Sequence, residues 1–280
     1  MGRSTGNRFE GKVAFVTGGA RGQGRSHAVR LAAEGADVAV IDVTRQFDSV
    51  QYAMSTPEDL AETEKLVREH GREFVGITGD VRDEEQVNAA VAQVEERLGG
   101  IDLVCANAGI LPSTGPHAQR LSAWHDTIAT NLSGVFYTLR AVTPGMVERG
   151  RGGAIVITGS TSTFRGVAYK TEMLNPGHMA YGAAKAGVLA LMRNYAMALG
   201  KHGIRVNTII PAGVSTPMIV NEFFTKDLQA DAPPGWMANV MERGPVEPGD
   251  ISDGVLFLLS DEAKYVTGTA LPVDMGTLLI

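Results

Sequence analysis

The chain has 280 residues, of which 44% are hydrophobic and 20% charged, and its formal net charge is -6. This composition excludes a disordered or fibrous protein, and scattered Lys and Arg residues in an acidic chain argue against nucleic-acid binding. The single cysteine, Cys105, cannot form an internal disulfide. Neither a signal-like N-terminus nor a run of about 18 apolar residues is present, so we expect a cytoplasmic protein.

Short runs rich in Val, Ile and Ala alternate with longer segments of helical periodicity along the whole chain. The predicted strands are 12–17, 37–42, 73–80, 103–107, 154–160, 204–210 and 270–273. The predicted helices are 24–34, 57–70, 83–98, 121–148, 181–202 and 248–259. Because continuously apolar strands are covered on both faces, we predict an α/β fold: a single Rossmann-type domain over residues 1–280 with a doubly wound, seven-stranded parallel sheet. Residues 1–10 are expected to form an N-terminal tail.

A glycine-rich segment, Thr17-Gly-Gly-Ala-Arg-Gly-Gln-Gly24, follows the first predicted strand and opens the next helix. Glycines let the backbone approach a pyrophosphate, which free N–H groups at the helix start can bind. The residues expected to bind it are Gly18, Arg21, Gly22, Gln23 and Gly24. Taken alone, such a segment could also be a plain turn between a strand and a helix.

Asp42 ends the second predicted strand, where a carboxylate can accept hydrogen bonds from the ribose hydroxyls of adenosine. It would repel a phosphate on that ribose, so the sequence favours NAD over NADP. Arg21 and Arg45 are the counter-argument, because either could reach a phosphate. Asp80 and Val81 close the third strand and are expected beside the adenine, although Asp80 could equally be an ordinary residue before a helix.

Tyr181 and Lys185 lie four residues apart and therefore share one face of a helix. A phenol with a pKa near 10 is a poor base, but a neighbouring Lys cation and an oxidised nicotinamide both favour the phenolate. We expect Tyr181 to take a proton from an alcohol as hydride leaves, or to return it in reduction. The same spacing also occurs by chance on surface helices.

Two further polar residues are candidates for the reacting centre. Ser160 ends the fifth strand, where its hydroxyl could bind the substrate oxygen; it could instead form a turn, and Ser162 is a rival for the substrate role. Asn131 lies within a predicted helix, where Asn is unfavourable by propensity. A side chain or carbonyl there could hold a water that relays protons toward Lys185.

Segments 161–180 and 214–244 interrupt the alternation of strands and helices, and 214–244 is predicted to form a substrate lid. Its large apolar residues suit a pocket, or packing against the main body or a subunit. They are Met218, Phe223, Phe224, Trp236, Met237 and Met241. The dispersed histidines His117, His125 and His178 predict no metal site and are interpreted as surface or core residues. The apolar tail 277–280 should not remain in water.

In sequence order, these motifs resemble the short-chain dehydrogenase/reductase family over about residues 11–275. The matching elements are Thr17-Gly-x-x-x-Gly-x-Gly24, Asn107-Ala-Gly109, Asn131, Ser160, Tyr181-x-x-x-Lys185 and Pro211. The resemblance implies a catalytic tetrad of Asn131, Ser160, Tyr181 and Lys185, with Lys185 also holding the nicotinamide ribose. It implies that Asn107, Ala108 and Gly109 lie along the cofactor and that Val214 and Thr216 meet the carboxamide.

Segments 20–27, 57–63 and 80–83 look like the mycofactocin-associated, carveol dehydrogenase-like branch of that family. That branch is similar in carrying an insertion after the second strand, as residues 44–56 do here. The resemblance implies tightly held NAD, electron transfer to a peptide-derived redox carrier, and a homotetramer with buried tails. Two departures, Ala212 after Pro211 and the 21-residue spacing from Ser160 to Tyr181, concern the substrate side and leave the substrate open.

The sequence therefore predicts an NAD-dependent oxidoreductase that moves hydride between a hydrophobic, carveol-like secondary alcohol and nicotinamide. An NADPH-dependent carbonyl or 3-oxoacyl reductase is the alternative enzyme, against which Asp42 argues. A sensor or scaffold that binds NAD without turnover is the alternative of another class, and it would be expected to have a broken tetrad.

Overall fold

The computed structural model describes residues 6–280, apart from the side chains of Asp227 and Gln229. Seven strands form one parallel sheet in the order β3-β2-β1-β4-β5-β6-β7. They are β1 (Val13–Thr17), β2 (Asp37–Asp42), β3 (Phe74–Thr78), β4 (Leu103–Ala106), β5 (Gly153–Thr158), β6 (Ile204–Pro211) and β7 (Ala270–Val273). The predicted doubly wound sheet is confirmed, and its strand order reverses between β1 and β4, where such sheets bind ligands.

Helices cover both faces of this sheet, as the apolar strands predicted. They are α1 (Gly22–Ala33), α2 (Pro57–Arg68), α3 (Glu84–Leu98), α4 (Gly115–Ala118), α5 (Leu121–Ile128), α6 (Gly134–Arg149), α7 (Pro176–Leu199) and α8 (Pro248–Leu259). Two π-helical segments, Ala129–Ser133 and Phe224–Gln229, accompany them. Short 3₁₀ turns occupy Thr161–Thr163, Thr171–Met173, Gly200–His202, Asp261–Ala263 and Thr277–Leu279.

Alternate side chains of the central strands enter two separate apolar cores, one on each side of the sheet. Phe15 belongs to the core under α3, α6 and α7, whereas Ala14 and Val16 belong to the core under α1 and α8. Burying each large side chain contributes about 1.5–3 kcal/mol, so both faces hold the sheet rigid beneath the site. Cys105 is buried in the second core, and burial raises the pKa of its thiol to about 12.

Two predicted helices have different bounds in the structure. The helix predicted over 121–148 is interrupted by the π-helical turn Ala129–Ser133, which contains Asn131. The helix predicted to begin at 181 begins at Pro176, because the Oδ1 atom of Asn175 accepts a hydrogen bond from the backbone N–H of His178 at 2.9 Å. An Asn followed by Pro is a typical helix start, and this signal was overlooked.

The expected N-terminal tail lies partly outside the described residues, because the structure begins at Gly6. Within the described part, Phe9 is buried and its N–H donates to the carbonyl of Glu34. Over residues 6–280, no helix is long and apolar enough to cross a membrane.

Candidate active site

Two adjoining cavities open at the carboxyl end of the sheet. The first, which we call the glycine-loop cavity, is lined by the loop after β1, the end of β2 and the start of segment 79–81. The second, which we call the tyrosine cavity, has a volume of about 370 Å³. Its lining includes Ser160, Tyr181 and residues of segment 211–219. Five residues line both cavities: Gln23, Asn107, Gly109, Thr216 and Met218. The two spaces are therefore continuous, and one elongated ligand can occupy both.

The predicted site residues converge on these cavities with two exceptions. Gly24 and Asn131 line neither cavity, whereas every other predicted catalytic or cofactor-binding residue lines at least one. Gly24 lies beneath the loop, where an added Cβ would be 2.1 Å from the carbonyl oxygen of Gly18. The third glycine is thus required for close packing of α1 against the loop.

The glycine loop presents backbone to the cavity. Gly18 has φ +68°, and a Cβ there would be 2.8 Å from the Cα of Ala108. A larger residue would therefore clash with the segment that follows β4. Arg21 precedes α1 and makes no side-chain cap to the helix N-terminus. The first-turn N–H groups, with the positive end of the helix dipole, are therefore available to an anionic group.

Strand pairing places Asp42 beside this loop. The N–H of Gly18 donates to the carbonyl of Ile41 at 2.8 Å. The carboxylate of Asp42 accepts hydrogen bonds from the N–H of Ala20 at 2.9 Å and from the hydroxyl of Ser55 at 2.6 Å. Asp42 is thus held in one orientation at the wall of the glycine-loop cavity and retains free lone pairs for a ligand hydroxyl.

The two arginines that argued for NADP have different surroundings. The guanidinium of Arg45 pairs with the carboxylate of Asp80 at 2.9 Å, and Arg45 does not line the glycine-loop cavity. Arg21 does line it, and donates to the carbonyl of Ala53. Of the two, Arg21 alone is positioned to meet a cofactor phosphate.

Asp80 and Val81, the residues predicted to lie beside the adenine, both line the glycine-loop cavity. Burial favours a higher pKa for the Asp80 carboxyl, but hydrogen bonds and charge from Arg82, with the charge of Arg45, hold that pKa below its ordinary value. Asp80 is therefore a fixed anion, and its backbone N–H donates to Gln86.

The insertion after β2 packs over the same cavity. Phe47, Val50 and Tyr52 are buried and form a small apolar cluster with Ile110. The hydroxyl of Tyr52 accepts a hydrogen bond from the N–H of Leu111 at 3.0 Å. Sequence reasoning singled out residues 44–56 but none of these side chains, although two aromatic residues in so short an insertion were an available signal.

The ring of Phe47 lies under the guanidinium of Arg82, at 3.8 Å. The hydroxyl of Ser49 donates to the carboxylate of Asp126 at 2.6 Å. These contacts attach the insertion to α5 and to segment 79–83, so it forms an ordered wall.

Asn131 is buried, and both polar atoms of its side chain are hydrogen-bonded. Its Oδ1 accepts from the N–H of Ile110 at 2.9 Å, and its Nδ2 donates to the carbonyl of Ile110 at 2.8 Å. The side-chain amide of Asn131 fixes the segment after β4. Of the two groups expected to hold a water, the backbone carbonyl is therefore the better candidate.

Three functional side chains meet in the tyrosine cavity. The Nζ of Lys185 is buried, donates to the carbonyl of Thr158 at 2.6 Å, and lies 5.7 Å from the centre of the Tyr181 ring. The hydroxyl of Ser160 interacts with the phenol of Tyr181 and accepts from the N–H of Ser162 at 3.1 Å. Ser160 thus forms the predicted turn and also lies beside the phenol. Its rival Ser162 lines the same cavity.

The lid predicted over 214–244 contributes the apolar wall of this cavity. Four of its six singled-out residues line it: Met218, Phe224, Trp236 and Met237. Phe223 and Met241 do not, and both are exposed. The lid residues thus line the pocket and also pack against the rest of the protein, since Phe224 contacts the cluster that contains Met173.

Hydrogen bonds attach this segment to segment 161–175. The indole N–H of Trp236 donates to the carbonyl of Val167 at 2.8 Å, and the hydroxyl of Tyr169 donates to the carbonyl of Leu228 at 2.5 Å. Arg165 donates to the carbonyl of Thr277 at 3.1 Å, which joins the C-terminal turn to the same wall.

Sequence reasoning missed several residues of the tyrosine cavity. His178, interpreted as a surface or core histidine, is 8% exposed and lines it, together with Ser113. Its spacing of three residues before Tyr181 was an available signal. Among the described side chains, which do not include that of Asp227, no group of His, Cys, Asp and Glu could hold a metal.

Comparison with known proteins agrees with this geometry. A family model described as enoyl-(acyl carrier protein) reductase matches residues 18–277. The (-)-trans-carveol dehydrogenase of Rhodococcus erythropolis is 41% identical, over 97% of this chain and 99% of that protein. The chain belongs to the short-chain dehydrogenase/reductase family.

Solved structures extend the likeness to the cofactor. Carveol dehydrogenase from Mycobacterium avium in complex with NAD is 44% identical with a TM-score of 0.88, over 98% of this chain and 99% of that one. A short-chain dehydrogenase from Mycobacterium paratuberculosis bound to NAD is 34% identical with a TM-score of 0.87, over 98% and 100%. This short-chain dehydrogenase is therefore an oxidoreductase that uses NAD, as predicted.

The glycine-loop cavity of this short-chain dehydrogenase fits NAD in chemical terms. The close approach at Gly18 and the uncapped start of α1 suit a pyrophosphate. The fixed carboxylate of Asp42 suits ribose hydroxyls and repels a phosphate at that position.

Burial controls the protonation of the two titratable groups in the tyrosine cavity. It raises the pKa of the Tyr181 phenol, while interaction with the Ser160 hydroxyl lowers it. Burial lowers the pKa of Lys185 to about 8. At pH 7 Lys185 therefore remains mostly a cation beside a phenol that needs positive charge to lose its proton.

Proposed function

We propose that this enzyme interconverts a hydrophobic secondary alcohol and its ketone, with Tyr181 as the general base and acid. The observation that carries the proposal is the meeting of Tyr181, Ser160 and Lys185 in a largely apolar cavity continuous with the glycine-loop cavity. The carveol dehydrogenase relatives favour a cyclic, carveol-like alcohol over an acyl carrier substrate. Residues 214–244 act as the substrate lid.

The protein's own groups perform the proton chemistry. Bound NAD supplies the hydride acceptor in the direction of oxidation. The hydroxyl of Ser160 binds the substrate oxygen and orients it toward the phenol, and the phenolate of Tyr181 accepts the alcohol proton. Lys185, held by the carbonyl of Thr158, favours the phenolate and binds the nicotinamide ribose. The carbonyl of Asn131 holds a water on the route by which the proton leaves.

The proposed cofactor contacts follow the cavity from one end to the other. Gly18, Arg21, Gly22 and Gln23 bind the pyrophosphate, supported from below by Gly24. Asp42 binds the adenosine ribose, and Asp80 and Val81 flank the adenine. The nicotinamide half is contacted by residues from two parts of the chain, all of which line the cavities: Asn107, Ala108, Gly109, Pro211, Val214 and Thr216.

The insertion supports a second part of the proposal, that NAD is released slowly and electrons pass to an external redox carrier such as mycofactocin. Its buried Phe47 and Tyr52 line the glycine-loop cavity, so an adenosine bound there would lose its contacts with them on leaving. Measuring NAD content after purification and dialysis tests this, and rapid loss of NAD would contradict it.

A homotetramer is proposed from the C-terminal residues. Leu279 and Ile280 are 80% and 62% exposed in the single chain, which is costly for two adjacent apolar side chains. Sedimentation of the wild type and of a variant with both residues changed to Ser tests this, with exposed Met197→Ser as the control. A wild-type monomer would contradict the proposal.

The activity is tested by mixing purified enzyme with NAD and excess carveol, followed by other cyclic and aliphatic secondary alcohols, while nicotinamide reduction is followed by absorbance. Steady accumulation supports a dehydrogenase with exchangeable NAD. A burst of one equivalent per site supports alcohol oxidation with retained NAD. Bound NAD without reduction by any secondary alcohol would contradict the proposed substrate class.

A further inference from the structure

His178 is a buried polar residue on the catalytic face of α7. It precedes Tyr181 by three residues and Lys185 by seven, so the three side chains lie along one face of the helix. His178 is 8% exposed and lines the tyrosine cavity, whose apolar walls come from the lid.

The imidazole of His178 has no partner within the protein. Its Nδ1 is enclosed and makes no hydrogen bond in the part of the chain that the structure describes. None of the described side chains or backbone groups is hydrogen-bonded to its Nε2 either. Nε2, unlike Nδ1, is not enclosed, so it is the nitrogen that a ligand in the cavity can reach.

Two other polar side chains that line this cavity are engaged with the backbone of its walls. Arg165 donates to the backbone carbonyls of Thr277 and Trp236. Asn239 makes two hydrogen bonds with the backbone of Arg243. These groups hold the walls together, whereas His178 is unpaired.

The position of His178 is rigid. The cap from Asn175 fixes its backbone N–H, and the amide of Asn175 also donates to the carbonyl of Ser113 at 3.0 Å. At Gly177 an added Cβ would be 1.9 Å from the carbonyl oxygen of Pro112, so the start of α7 is packed directly on the segment after β4. A side chain on such a support can select a ligand by position.

The imidazole is neutral in this setting. Burial lowers the pKa of His178, and its place in the first turn of α7, near the positive end of the helix dipole, also disfavours the cation. Arg165 and Arg243, which line the same cavity, add positive charge. A neutral imidazole offers one N–H donor and one lone pair, so it can bind either a hydroxyl or a carbonyl oxygen.

We propose that His178 forms a second polar subsite in the tyrosine cavity and binds a second oxygen atom of the substrate, while Tyr181 acts on the first. Side chains three residues apart on a helix have Cβ atoms about 5–6 Å apart. A substrate that carries two oxygens on one ring, a cyclic diol or hydroxy ketone, matches this close spacing. This inference rests on the proposed alcohol oxidation and narrows its substrate.

The test compares kcat/KM for 1,2- and 1,4-cyclohexanediol with that for cyclohexanol in the holoenzyme. The wild type is expected to prefer at least one diol by tenfold or more. His178→Leu, which removes both nitrogens, should reduce that preference at least tenfold, and His178→Gln, which retains a donor and an acceptor, should restore part of it. Met241→Leu, a substitution at an exposed lid position outside the cavity, should leave the preference in place.

An equal loss on diol and monoalcohol in His178→Leu, or an unchanged preference, would overturn the inference. Thermal unfolding and NAD binding of each variant show whether it is folded. Calorimetric binding of the diols and of cyclohexanol to Tyr181→Phe holoenzyme, with and without His178→Leu, separates the two proposals because it requires no turnover. Selective diol binding that depends on His178, without turnover in the wild type, would remove the proposed reaction and keep the subsite. Turnover of cyclohexanol without diol selectivity would keep the proposed reaction and remove the subsite.

Discussion

The two adjoining cavities are constructed differently. The glycine-loop cavity is formed mainly where consecutive strands end, and strand pairing positions its key groups, as the hydrogen bond from Gly18 to Ile41 places Asp42 beside the loop. The tyrosine cavity has one rigid side, formed by β5 and α7, and one side formed by segments 161–175 and 214–244, which pack on each other. The proposed adenosine half of the cofactor site thus depends on the sheet, and the proposed substrate site depends on how two irregular segments meet.

The largest expected effect separates chemistry from cofactor binding. Tyr181→Phe removes the proton acceptor and should lower kcat about 10²–10⁴-fold, because a positioned general base contributes about that factor. The NAD dissociation constant should change by less than about twofold, since the hydroxyl lies in the tyrosine cavity. Steady-state kinetics and calorimetric NAD titration measure both quantities. Substantial residual turnover would remove Tyr181 from its proposed role.

A substitution in the glycine-loop cavity should have the converse effect. Asp42→Ala removes the anion that would repel a ribose phosphate and should lower the preference for NAD over NADP about 10- to 100-fold, equivalent to about 1.4–2.7 kcal/mol. Alcohol selectivity should not change. The measurement is kcat/KM with each cofactor. Asp42→Asn removes the same charge but keeps a carbonyl oxygen that can accept from Ala20, so it separates the loss of charge from the loss of that hydrogen bond. An unchanged cofactor ratio in Asp42→Ala would show that the ribose lies elsewhere.

The irregular wall can be weakened without touching the sheet. Trp236→Phe removes the hydrogen bond to the carbonyl of Val167 while retaining an aromatic ring. Loss of one such bond costs about 1 kcal/mol, so we expect the alcohol KM to rise about three- to tenfold with NAD binding unaffected. Phe223→Leu, at an exposed lid position outside the cavity, serves as the control. A parallel rise in the NAD dissociation constant would contradict the separation of the two cavities.

The smallest expected effect concerns pH. For alcohol oxidation, kcat/KM should fall above about pH 8, where the buried Lys185 cation, whose pKa is lowered to about 8, loses its charge and no longer favours the Tyr181 phenolate. Lys185→Arg keeps a cation at higher pH and should extend the plateau. A pH and rate profile for both proteins is the measurement, and an unaltered alkaline limb in the variant would assign that limb to another group.

The parts of the molecule that sequence reasoning predicted correctly rest on local patterns. The seven strands, the sheet class and the glycine loop follow from apolar runs and from spacing that a single strand and helix can satisfy. The start of α7 was placed five residues late, at 181 rather than 176, because attention fell on Tyr181 rather than on the Asn175-Pro176 start. The interruption at 129–133 was missed because it accompanies a contact between Asn131 and Ile110, 21 positions apart.

The sequence by itself determined the α/β architecture, the position of the glycine loop and the pairing of Tyr181 with Lys185. Each depends on residues within a few turns of chain, whose geometry the backbone periods dictate. Only the tertiary structure decided that the amide of Asn131 is committed to Ile110, that Arg45 belongs to Asp80, and that His178 enters the cavity unpaired. Those outcomes depend on which distant segments pack together, and a polar side chain takes whichever partner that packing brings within hydrogen-bonding distance.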